Sequence, residues 1–119
     1  MTSARGKLIL IPLMLVIVIF SAGCLETSFG VVEYSYPLLN IEITNSGEET
    51  DAYVQVTVFD LADFRQIEIG KYVEDIHLKT GSNMVSVPVK LKKGDYKLYI
   101  YLIENNERKV AEIRDIGVE

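Results

Sequence analysis

The sequence predicts an all-β sandwich of about seven strands, preceded by an N-terminal signal or anchor helix. Three observations carry this. Beyond Val31, apolar and polar residues alternate with period two in one run after another, as in half-buried strands. Turn-forming clusters, such as Asn45-Ser46-Gly47 and Asn105-Asn106-Glu107, separate the runs at the spacing of a sandwich. No stretch past residue 30 sustains a helical period.

The chain begins with a short basic region (Arg5, Lys7), an apolar run (Leu8 to Phe20) and then small residues. This is the layout of a secretory signal peptide. A bilayer span needs roughly 20 apolar residues. Counted from Leu8 to Leu25 the run comes close, and Pro12 is tolerated in membrane helices, so an uncleaved signal anchor is the alternative. In both readings the positive charge stays inside and the rest of the chain faces outward.

The run ends in Ser21-Ala22-Gly23-Cys24, and Cys24 is the only cysteine. "SAGC" at the end of an apolar region resembles the lipobox of prokaryotic lipoproteins, archaeal ones included. Ala22, Gly23 and Cys24 match that pattern; Ser21 stands where Leu is usual. The resemblance implies cleavage before Cys24, attachment of lipid to Cys24, and a cell-membrane location on the extracytoplasmic side. Each buried CH₂ of a lipid chain adds about 0.8 kcal/mol of membrane affinity, so two chains suffice for stable anchoring. A single cysteine also forbids an intrachain disulfide, so the outer domain must hold by its core. The domain reading is residues 1–23 as signal peptide with lipobox (or anchor), 24–30 as a short tether, and 31–119 as the sandwich. "LETSFG" (Leu25 to Gly30) has neither helical nor strand period.

In the outer domain, Leu39, Ile41 and Ile43 share one face, with Asn40, Glu42 and Thr44 opposite. Val54, Val56 and Val58 point inward, with Gln55 and Thr57 outward. "RQIEIG" and "YVEDIHLK" read as strands, the second with Ile76 and Leu78 inward; "LADF" before them reads as a turn or a brief helical turn. Val85, Val87, Val89 and Leu91 point inward. Pro88 cannot donate to a ladder, which makes its strand an edge strand or bulged. Tyr96, Leu98, Ile100 and Leu102 form one face of the next strand, with Tyr99, Tyr101 and Ile103 opposite. "RKVAEIRDIGV" returns as the last strand, with a bulge expected near Ala111 or Glu112.

The stretches "NIEITNSGEETDAYVQVTVFD", "LKTGSNMVSVPVKLKKGDYKLYIYLIE" and "VAEIRDIGV" resemble an immunoglobulin-like or fibronectin type III-like module of prokaryotic surface proteins, in particular the CARDB type. That resemblance covers residues 38 to 117. It implies an immunoglobulin-like sandwich, and it assigns Gly94-Asp95-Tyr96 to a tyrosine corner. The Cys…Trp…Cys signature of antibody domains is missing, since there is no Trp.

The chain carries 12 Lys and Arg against 17 Asp and Glu. The leader holds two of the positives and none of the acids, which leaves ten against 17 beyond it, a net −7. An acidic domain is a poor partner for nucleic acid. No phosphate loop, G-x-S-x-G or Ser-His-Asp pattern is present, and His77, the one histidine, sits on the solvent parity. The domain is therefore read as non-catalytic and without a cofactor. Glu48, Glu49 and Asp51 concentrate carboxylates in one loop, as a calcium site would, although a solvated acidic turn is the plainer reading; Asp60 and Asp63 join only if loops converge. Lys90 to Lys97 gathers four lysines that suit either anionic headgroups or a solubilising turn. Tyr99, Tyr101 and Tyr53, with Tyr34 and Tyr36, suggest an aromatic face for an envelope protein or a glycan. The alternative is that these tyrosines cover one another across neighbouring strands. The leading function is a membrane-tethered binding or structural module. The second is an accessory subunit of an envelope complex (a transporter, secretion or pilus-like assembly) held by a signal-anchor helix.

Overall fold

The computed structural model describes residues 26–119. Cys24 and the apolar segment before it lie outside the described residues. Seven strands follow: β1 (Thr27–Ser35), β2 (Leu38–Asn45), β3 (Thr50–Asp60), β4 (Ile67–Leu78), β5 (Gly81–Pro88), β6 (Gly94–Glu104) and β7 (Glu107–Val118). A single 3-10 turn, Ala62–Phe64, joins β3 to β4, where "LADF" was expected to turn. The strands form two antiparallel sheets, ordered β1-β2-β5 and β4-β3-β6-β7.

The alternation places the core where it was expected. Leu39, Ile41 and Ile43 from one sheet meet Val54, Val56, Val58, Leu98, Ile100 and Leu102 from the other, all without exposed surface. Val85, Val87, Val89, Leu91 and Leu78 close the sides. Burying one such side chain contributes about 1.5–3 kcal/mol, enough in sum to offset the missing disulfide. β5 lies at the edge of its sheet, as Pro88 requires. Asn105 and Asn106 both take positive φ, 50° and 61°, and close the β6–β7 hairpin with Glu104 paired to Glu107. Two consecutive left-handed residues suit the strand twist, and Asn adopts them at low cost.

Three expectations are corrected, each because a bulge breaks the period of two. β1 begins at Thr27, so Thr27 to Gly30 are strand and Phe29 is core. Its register shifts between Phe29 and Val32, where Gly30 and Val31 oppose the single Glu42, and this hides the alternation. "RQIEIG" and "YVEDIHLK" are one strand, not two. Val58 pairs with Gly70 and Phe59 with Glu68, leaving Ile69 as the extra residue. In β7 the extra residue is Lys109, between Arg108 and Val110, and not Ala111 or Glu112. Beyond that bulge Val110, Glu112, Arg114, Ile116 and Val118 are half-buried, and Ala111, Ile113, Asp115 and Gly117 are exposed.

Polar groups pin the loops. The Tyr96 hydroxyl donates to the Lys92 carbonyl at 2.8 Å, four residues upstream, with the ring buried; this is the bond of a tyrosine corner. Burial pushes the Tyr96 phenol pKa above its ordinary value. The Tyr34 hydroxyl donates to the Val89 carbonyl at 2.8 Å and accepts the Leu91 N–H at 2.9 Å, tying β1 to the β5–β6 loop. Asn45, buried, accepts the Gly47 N–H at 3.0 Å and donates to the Glu48 carbonyl at 3.1 Å, which shapes the predicted Asn-Ser-Gly turn.

Candidate functional site

The outer face of the four-stranded sheet collects the aromatic residues. From β3 come Tyr53, Gln55, Thr57 and Phe59, and from β6 Lys97, Tyr99, Tyr101 and Ile103. The register sets Tyr53 opposite Ile103, Gln55 opposite Tyr101 and Thr57 opposite Tyr99. The three expected residues Tyr53, Tyr99 and Tyr101 therefore do share one face, and all are half-buried.

Both sequence-level readings of these tyrosines have a counterpart in the packing. Thr57, expected outward, is on the outer face but only 5% exposed. It sits between Tyr99 and Lys71 on the neighbouring strands, so the long side chains do cover the sheet. Phe59 meets Tyr99 edge to face, with ring centroids 5.0 Å apart and planes at 61°. The Gln66 side-chain amide donates to the Tyr99 hydroxyl at 3.3 Å. The Arg108 guanidinium lies 4.1 Å from the centre of the Tyr101 ring. Such a cation–π contact at a partly exposed site is worth about 0.5–1 kcal/mol and holds both planar groups in place.

The face is not flat. A depression of about 310 Å³ lies on the β3–β4 side of the tyrosines, lined by Gln55, Thr57, Glu68 and Lys71 among others. A second, of about 430 Å³, lies on the β7 side against Ala111, Glu112 and Ile113. Tyr99, Tyr101 and Arg108 border both and form the ridge between them. Ile113 and Val73 leave more than half of their surface exposed on either flank. The arrangement offers stacking, apolar contact and one fixed cation.

Phe59 and Arg108 were missed in the sequence. Phe59 shares the parity of Gln55 and Thr57 and was legible from it. Arg108 reaches Ile103 and the Tyr101 ring only through the Lys109 bulge, which carries no local mark.

The acidic loop is built differently from a calcium site. His77 lies opposite Asp51 in the β3–β4 register. Its Nδ1 is 2.7 Å from an Asp51 carboxylate oxygen, and its Nε2 is 3.7 Å from a Glu49 oxygen. The hydrogen bond to Asp51 raises the His77 pKa above its ordinary value; desolvation opposes it, and the charges of Asp51 and Glu49 add to the rise. Two of the three carboxylates are thus taken by an imidazole. Among the described residues no group of three His, Cys, Asp or Glu side chains is placed to hold a metal ion. Glu48 and Glu49 instead border an open hollow of about 640 Å³ with Glu26 and Glu104, at the end of the sandwich where β1 starts. Asp60 accepts the Ala62 N–H at 2.8 Å where β3 leads into the 3-10 turn; it lies far along β3 from Asp51.

Three of the four lysines are gathered and the fourth is not. Lys90, Lys92 and Lys93 are exposed in the β5–β6 loop, and Lys97 lies on the outer face of β6, 3.7 Å from Asp115. That loop sits at the end of the sandwich opposite Thr27. Thr27 pairs with Asn45 at one extreme of the three-stranded sheet, and Val89 bonds Pro37 at the other. Tyr34 serves the loop there, and Tyr36 is exposed beside it at that end, away from the Tyr99–Tyr101 face.

Seven antiparallel strands split three and four, in the orders β1-β2-β5 and β4-β3-β6-β7, with a tyrosine corner at the head of β6, define an immunoglobulin-like β-sandwich. No protein-family profile matches the sequence. No curated protein matches it. Among solved structures, the chain is similar to the rat CD45 extracellular region, domains d3-d4, at 11% identity and a TM-score of 0.36. The match covers 76% of this chain and 47% of that one, so the chain spans about half the length of that structure.

Proposed function

We propose that the protein is a membrane-tethered, extracytoplasmic lipoprotein, of the prokaryotic CARDB-like kind, whose sandwich is a non-catalytic binding or structural module. The observation that carries the tether is the leader itself. A basic region, an apolar run and Ser21-Ala22-Gly23-Cys24 stand immediately before a folded domain whose first strand starts at Thr27. Only Leu25 and Glu26 separate Cys24 from β1, so an anchored sandwich stands directly on the membrane, with its acidic hollow toward the headgroups. Its lysine loop points away from them, which leaves no role in binding that surface for Lys90 to Lys97. The Tyr99–Tyr101–Arg108 ridge then faces sideways along the membrane. Tyrosine and arginine are the residues that dominate binding hot spots. The partner is accordingly a neighbouring envelope protein, with a glycan as the alternative ligand for the stacking face.

The second reading is an accessory subunit of an envelope complex held by an uncleaved signal anchor. Intact mass of the protein extracted from native membranes separates the two. A species that starts at Cys24 with added lipid mass supports the lipoprotein. A full-length species with an unmodified thiol overturns it and leaves the anchored subunit.

A further inference from the structure

An open sandwich has four edge strands, and each exposed edge is a template for another strand unless something blunts it. β5 ends in Pro88. β1 is broken by the Gly30–Val31 bulge. β7 and β4 each carry one bulge, at Lys109 and at Ile69. On β7 the charges at the middle of the unbroken run, Glu112 and Arg114, are paired with each other at 2.7 Å. β4 differs in that its central charges, Lys71 and Asp75, make no ion pair among the described residues. Beyond its bulge at Ile69 it runs without a register break from Gly70 to Leu78, bonded on one side only, to β3.

The pattern along this free edge is self-complementary. Val73, at its middle, is 58% exposed. Lys71 and Asp75 flank it at equal distance on the same face, both exposed. Their neighbours on β3 are Thr57 and Tyr53, and among the described residues neither makes an ion pair. When β4 is laid antiparallel against a second β4 with Val73 opposite Val73, Lys71 falls opposite Asp75 twice, and Tyr72 opposite Glu74 twice. Moving the centre to Tyr72 leaves the charges unmatched. Moving it to Glu74 sets two carboxylates face to face. Opposite charges across a strand pair are favourable and like charges are not, so one register is selected.

We infer that β4 is a homodimerisation edge: two copies of this chain pair β4 to β4 about a two-fold axis through Val73 and join their four-stranded sheets into one of eight strands. The interface is isologous, as most homodimer interfaces are. The two aromatic faces lie on the same side of the joined sheet. Because the paired strands are antiparallel, the two Thr27 ends point in opposite directions. Resting on the anchor reading above, the pair therefore joins chains on facing membranes and not neighbours on one.

The experiment is light scattering on the full chain in detergent, for the parent and four variants, each checked for fold by circular dichroism. The parent forms a concentration-dependent dimer. Asp75→Lys and Lys71→Asp each raise the dissociation constant by at least about tenfold, since each turns two attractions into two repulsions. The double variant Lys71→Asp/Asp75→Lys restores the dimer, which a merely structural effect of either change would not do. Ile113→Lys, on the β7 edge, leaves it intact. A monomeric parent, a dimer indifferent to the reversals, or loss of the dimer on Ile113→Lys overturns the inference. Clustering of phosphatidylcholine vesicles by the parent, and not by Asp75→Lys, reads out the facing-membrane arrangement. A dimer in detergent without clustering overturns that arrangement and leaves β4 pairing standing.

Discussion

Strand β6 carries two surfaces on one backbone. Leu98, Ile100 and Leu102 point into the sandwich and have no exposed area. Tyr99, Tyr101 and Ile103 alternate with them, point out, and stay half-buried. Both faces are rich in large apolar groups, so composition does not separate them. What separates them is the partner: the inner face meets a second sheet, and the outer face meets only its own neighbours, Phe59, Gln55 and Arg108. The inner face is therefore where the domain's stability resides. The outer face keeps part of its aromatic surface exposed, held in position by its contacts with Phe59, Gln66 and Arg108.

The sharpest way to break this contrast is Ile100→Ala. It removes buried carbons that no rearrangement of two packed sheets refills, and the expected loss is about 2–5 kcal/mol of unfolding free energy in urea titration. A loss comparable to that of an outer-face change would mean that the two faces are not distinct. Tyr101→Ala, one residue away, is expected to cost about 1 kcal/mol, mostly the Arg108 contact and cross-strand cover. In crosslinking on native membranes the same variant should lose its partner, while Ile100→Ala at a permissive temperature keeps it. Retention of the partner by Tyr101→Ala would move the binding surface elsewhere.

The smallest effect is the pH dependence set by His77. Its pKa is raised in the folded state, so protonated His77 binds Asp51 and Glu49 more favourably folded than unfolded. That stabilisation is fully present below the unfolded value near 6.5 and disappears as pH rises through the raised folded value. His77→Gln should flatten the fall in melting temperature across that window. An unchanged slope would assign the fall to other groups.

Much of this was legible along the chain. Every residue assigned inward in β2, β3 and β6 is buried, because a strand that packs on one side must alternate. Pro88 marked an edge and Asn105-Asn106 a hairpin for reasons internal to those residues. The Gly94-Asp95-Tyr96 corner needs only a loop carbonyl four residues back. The errors lie where a bulge slips the period: at Gly30–Val31, at Ile69 and at Lys109. One added residue flips the parity of all that follows, and it can be of any type.

The sequence by itself determined most of the strands and their inward faces, since hydrophobic period and turn chemistry are local properties. Only the tertiary structure decided which strands are neighbours. That choice placed Arg108 over Tyr101, His77 against Asp51, and Tyr34 under the β5–β6 loop instead of on the Tyr99–Tyr101 face. It also left β4 unpaired on one side. Each of these joins residues distant in the chain, and the free energy that selects them comes from closing two sheets over one core, which no single stretch of residues contains.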